Sequence, residues 1–212
     1  MKLVSNSIQH NQPIDPRFAF GKMDKQTNIA LSSNINPHFS WTDAPEGTKS
    51  FVMVCVDTDV PSKPDDVNQL DREVPADLPR VAFYHWALID IPADATEIKE
   101  GQHSKDVSPK GKGGPKAPNG LRHGINNFTE WFAGDPDMKG DYFGYDGPCP
   151  PFNDSLVHHY HFTLYALDIE RLPLEGSFSC ADVIKAMADH VLAEDTIIGT
   201  YTLNPRLVQN SS

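Results

Sequence analysis

The sequence predicts a mainly β, sandwich-like domain with one helix in its C-terminal region. Three observations lead there. Four stretches read as strands, the segments between them are dense in Pro, Gly, Asn and Asp, and only one stretch has apolar residues at helical spacing. Strands followed by a single late helix do not fit alternating βαβ units.

Residues 51–57, FVMVCVD, are apolar on both faces, the pattern of a strand covered from two sides. Residues 82–91, AFYHWALIDI, form a second strand around one histidine, His85. A third is VHHYHFTLYALD, residues 157–168, and a fourth is IIGTYTL, residues 197–203. Between them, residues 60–80 and 108–120 read as long surface loops. The helix lies in SCADVIKAMADHVLAE, residues 179–194, where Val183, Ile184, Met187, Ala188, Val191 and Leu192 make one stripe. Ser179 and Asp182 suit a capping box at its start. No linker divides the chain, so 1–212 is expected to be one domain.

Composition narrows the function. With 18 basic against 29 acidic residues the net charge is −11, which argues against nucleic acid or an anionic membrane surface as the main partner. Three cysteines at irregular spacing exclude a zinc pattern and argue against a disulfide framework. No apolar run approaches the ~20 residues of a membrane span, and the N-terminus lacks the apolar stretch of a signal peptide. The expectation is a reduced, cytoplasmic protein without an integral membrane segment.

Three places carry candidate chemistry. Asp57 and Asp59 are two apart at a strand end; they read either as an Asx turn before Pro61 or as a carboxylate at a pocket mouth. His85, alone on an apolar strand, is either a satisfied core residue or a ligand contact, with an aspartate as its natural partner. In the third strand, alternation puts His158 and Tyr160 on the face of Phe162 and Leu164, while His159 and His161 form a solvated pair that could grip a metal. Upstream, Gly147, Pro148, Cys149, Pro150 and Pro151 make a stiff turn, or a rigid loop that presents an amide to an anion. H-E-x-x-H, G-x-S-x-G, P-loop and G-x-G-x-x-G signatures are absent.

In order, SWTDAPEGTKSFVMVCVDTDVPS, AFYHWALIDIPA, YFGYDGPCPPFNDSLVHHYHFTLYALD and HVLAEDTIIGTYTL resemble the phosphatidylethanolamine-binding protein family, in its bacterial and archaeal, Raf-kinase-inhibitor-like branch. The resemblance covers about residues 30–203. It implies a large and a small antiparallel sheet and a pocket for a small phosphate-like or carboxylate anion. Its ligand-binding residues fall on Asp57, His85, Gly147, Pro148, His158 and Tyr160, with Asp59, Pro61 and Trp86 in support. Thr58 replaces a customary proline, and His159 a customary arginine, which puts that arginine's salt bridge in doubt.

The reading implied is a binding module that recognises a phosphorylated head group or side chain and acts on a kinase or protease. No cofactor, metal or catalytic residue is expected. The alternative is a hydrolase using a His/Asp pair on a phosphoester or acyl substrate. A homodimer is implied by the resemblance alone, and residues 63–80 and 101–124 read as dimer contacts, pocket covers or merely long loops.

Overall fold

Alternation along the longest strands decides the architecture, which the computed structural model describes for residues 1–209. The strands are β1 (Lys2–Val4), β2 (Gln12–Pro13), β3 (Gly21–Asp24), β4 (Asn28–Leu31), β5 (Phe39–Thr42), β6 (Ser50–Pro61), β7 (Arg80–Pro92), β8 (Glu97–Ile98), β9 (Arg122–His123), β10 (His158–Leu167) and β11 (Val191–Tyr201). Short helices are α1 (Phe128–Trp131), α2 (Cys180–Met187) and α3 (Pro205–Gln209).

Along β6, Phe51, Met53 and Cys55 enter one core with Phe39 and Trp41 of β5, while Val52 and Val54 pack on Val183 and Met187 of α2. That two-sided cover is why residues 51–56 of the strand are apolar without a break. Each large side chain buried this way contributes about 1.5–3 kcal/mol. The large sheet runs β2-β11-β10-β6-β7-β9 and the small one β1-β5-β8, with a separate β3-β4 hairpin. Pairing is antiparallel except between β2 and β11. The fold is mainly β with α2 near the C-terminal end, as the strand and helix patterns predict, and has the large and small sheets that the resemblance implies.

The helix is shorter than its apolar stripe. The Ser179/Asp182 capping box forms, but α2 ends at Met187 and a 3-10 turn follows over Ala188–His190. Val191 and Leu192, read as helical, open β11 instead. Val191 pairs with Leu167, and the next ten residues occupy the open edge of β10. Ladder hydrogen bonds there outweigh local helical preference. Asp168 helps end the helical path: its amide donates to the His190 carbonyl at 3.0 Å and its carboxylate lies 2.8 Å from His190 Nδ1. No helix among the described residues is long and apolar enough to cross a membrane.

Candidate functional site

The ends of β6, β7 and β10 meet at a cavity of about 560 Å³ lined by Asp57, His85, His158 and Tyr160 and walled largely by apolar groups, among them Phe20, Phe83, Phe128 and Trp131. Strand alternation carries Asp57 to the cavity, because it continues the face of Met53 and Cys55. The same rule places His158 and Tyr160 in line with Phe162, and both are fully buried. His85 arrives differently. Cys55 pairs with Trp86 and Val56 with Tyr84, so His85 is the extra residue of a β-bulge. Bulges re-aim a side chain, and here Trp86 goes to the sandwich core while His85 lines the cavity.

His158 is held between two carboxylates. Its Nδ1 lies 2.7 Å from Asp57 Oδ2 and its Nε2 lies 3.0 Å from Asp154 Oδ2. Only the imidazolium can donate to both. Burial opposes that charge, but the bonds to Asp154 and Asp57 outweigh it and hold the ring at about 9. Burial likewise works to raise both carboxyls, yet His158 pulls Asp57 below the ordinary carboxylate value, and His158 and Arg80 do the same to Asp154. Arg80 grips Asp154 through two nitrogens at 2.6 and 3.0 Å. Two carboxylates therefore balance two cations.

His85 has a different environment. Its Nδ1 lies 2.8 Å from the Asp146 carbonyl oxygen, and burial lowers its pKa. A carbonyl only accepts, so Nδ1 carries the proton and the neutral ring leaves Nε2 as an acceptor. Asp146 is fixed in turn: its buried carboxylate accepts from Lys112 at 2.6 Å and from Asn34 and Asn126 at 2.8 Å each. Tyr160 Oη has no hydrogen-bond partner among the described residues. It lies close enough to Asp57 for a weak, poorly aligned interaction, and burial, the Asp57 charge and that contact keep the phenol protonated.

The loop residues take other roles. The Gly147 amide was expected to face an anion, but it donates to Asn34 Oδ1 at 2.8 Å. A side chain on Gly147 would meet the Phe18 carbonyl oxygen at 2.0 Å, so glycine is needed here for close approach. The Pro148 carbonyl accepts from the amides of Phe20 and Gly21, tying down the N-terminal segment. His158, expected to donate to a ligand, has both nitrogens engaged, and the bond to His85 comes from the backbone carbonyl of Asp146 rather than from an aspartate carboxylate. Asp59 donates its amide to Asp57 Oδ1 at 2.8 Å, so the Asx turn and the carboxylate at the cavity coexist. Pro61 lines the cavity.

The sequence model of the phosphatidylethanolamine-binding protein family matches residues 4–202. The chain belongs to that family. It is 29% identical to the UPF0098 protein YbhB of Escherichia coli over 202 residues, covering 95% of this chain and all of that one. A UPF0098 protein of Methanothermobacter thermautotrophicus is 35% identical over 168 residues, covering 79% of this chain and 83% of the relative. The crystal structure of E. coli YbcL, described as a new member of the mammalian family, superposes with a TM-score of 0.66 at 25% identity, covering 95% of this chain and 97% of YbcL. A Chlamydia trachomatis homolog shares the fold, with a TM-score of 0.60 at 24% identity over 94% of this chain and 95% of its own. The expected bacterial and archaeal kinship holds, and the match extends to the N-terminal thirty residues that the resemblance leaves out.

Within the family motif, His159 keeps the tie that the missing arginine put in doubt: its amide and Nδ1 lie 2.8 and 2.9 Å from Asp59 Oδ2. Sequence reasoning missed Asp154, Arg80, Asp146, Asn34, Asn126 and Lys112. The signal for Asp154 was its place four residues before His158; the others lie tens of residues away from what they hold.

Proposed function

We propose that the chain is a binding module for a small phosphate-like or carboxylate anion. One observation carries the reading: Tyr160 Oη is a buried, protonated hydroxyl at the cavity wall that lies close to Asp57 but makes no well-formed hydrogen bond among the described residues. A buried donor left unpaired costs about 1–3 kcal/mol, which a ligand oxygen would recover. His85, whose Nδ1 bonds the Asp146 carbonyl and whose Nε2 makes no well-formed hydrogen bond among the described residues, lines the same cavity, and the apolar walls suit the organic remainder of a phosphorylated head group or side chain. The family's description as phosphatidylethanolamine-binding supports the same class of ligand. With so few polar contacts, affinity for a bare anion is expected in the high-micromolar to millimolar range.

No observation favours the hydrolase alternative. Asp57 is engaged by His158, and burial pushes the Cys149 thiol at the cavity up to about 12, far from a usable nucleophile. The test is an NMR titration with phosphorylethanolamine on wild type and Tyr160→Phe. Loss of a charge-assisted bond of about 1.5–3 kcal/mol raises Kd by roughly ten- to a hundredfold, with stability unchanged. Equal affinities would remove the reading's support.

A further inference from the structure

An anion presents lone pairs, and the ring atom that His85 leaves free is also a lone pair. The Asp146 carbonyl claims the one proton of the neutral imidazole at Nδ1, 2.8 Å away. Besides Tyr160, the donor side chains lining the cavity are the neutral Asn68, Asn127 and Trp131. Its lining contains no lysine or arginine, and its charged groups are Asp57, Glu130 and His158. The His158 charge is directed at Asp57 and Asp154, and Arg80 closes on Asp154 from the far side. The groups around the His85 ring are Phe83 of its own strand, Phe128 of α1, Tyr160 and His158 of β10, Asp57 of β6, and the Asp146–Gly147 backbone. Among them only Asp57 and His158 carry charge, and they carry opposite signs.

We propose that the site takes up its anion together with one proton, which comes to lie between His85 Nε2 and a ligand oxygen while Tyr160 Oη donates to a second oxygen. This rests on the binding reading above. The balance is simple: a ligand monoanion brings the proton on its own acidic oxygen, or a dianion binds as one proton is drawn from solvent. No covalent bond changes. The ligand class follows. Weak acids that hold a proton near neutrality fit, such as phosphomonoesters with a second pKa of about 6. A phosphodiester has no such proton, so His85 must be charged at the protein's own cost. Burial lowers the pKa of His85, which adds to that cost.

The experiment is calorimetric titration of the full chain with phosphorylethanolamine at pH 8, in two buffers of different ionisation enthalpy, with His85 ring nitrogens followed by NMR. Close to one proton is expected to be taken up per ligand bound. Affinity should fall about tenfold per pH unit between pH 7.5 and 8.5. The Nε2 signal should be of the unprotonated kind in the free protein and shift on binding. Glycerophosphoethanolamine, a diester, should bind several-fold more weakly at pH 6. Binding without proton uptake, or uptake with His85 Nε2 undisturbed, overturns the inference and leaves the binding module standing. Equal or tighter binding of the diester overturns the ligand class. No binding of either compound at any pH removes both readings.

Discussion

Raising the pH from 6.5 to 8.5 should weaken the fold through His158. The ring is fully buried between Asp57 and Asp154, and its pKa in the folded chain is about 9 against an ordinary 6.5. Between those values the folded state binds a proton that the unfolded chain releases. The ion cluster's contribution is therefore complete below pH 6.5 and lost as pH rises through about 9. The full shift corresponds to about 3 kcal/mol, of which about 2 kcal/mol disappears between pH 6.5 and 8.5. Burial raises the folded-state pKa of Cys55, Cys149 and Cys180, so their ionisation in the unfolded chain, from 9.0, also lowers stability toward pH 8.5, but equally in wild type and in a variant that keeps them. The assay is urea unfolding at half-unit pH steps, on wild type and on His158→Gln. The wild-type curve should fall by about 2 kcal/mol more than the variant's over this range. Parallel curves would show that His158 is neutral in the folded protein, and the two-carboxylate clamp would not be ionic.

Other outcomes test separate parts of the structure. His103 and His123 face each other with ring centroids 5.1 Å apart, and burial lowers them to about 4 and about 3. As pH falls below 6.5 the unfolded chain takes up protons that these rings refuse, so stability drops; His103→Gln should move the acid-unfolding midpoint, read by circular dichroism, to lower pH. Gly147→Ala should lower stability by roughly 3 kcal/mol, measured by chemical unfolding, because its new carbon meets the Phe18 carbonyl at 2.0 Å.

Both cavity histidines come from strands, yet they have opposite electrostatic characters. Two carboxylates keep His158 a cation at neutral pH, where it ties the strand ends together. One backbone carbonyl makes His85 a neutral acceptor. The division places fixed charge in the scaffold and leaves the titratable, unbonded atom beside the unpartnered tyrosine. That division is the physical basis of the proton-linked binding proposed above.

Local pattern was enough for much of this. Two-sided apolar character in FVMVCVD, alternation through HHYHFTL and the Ser179/Asp182 cap follow from side-chain periodicity and from hydrogen bonds only a few residues apart. They established the β class, the long strands, and the placing of Asp57, His158 and Tyr160 on inward faces. Tertiary structure decided what periodicity cannot encode. Val191 left the helical stripe because an open strand edge stood beside it. His85 turned to the cavity because a bulge against β6 shifted the face of β7. Gly147 lost its free amide to Asn34, 113 residues away, and His158 lost both nitrogens to carboxylates brought in by β6 and by the turn before β10. The sequence names the polar groups; which of them remain unpaired depends on partners that only the folded chain brings within 3 Å.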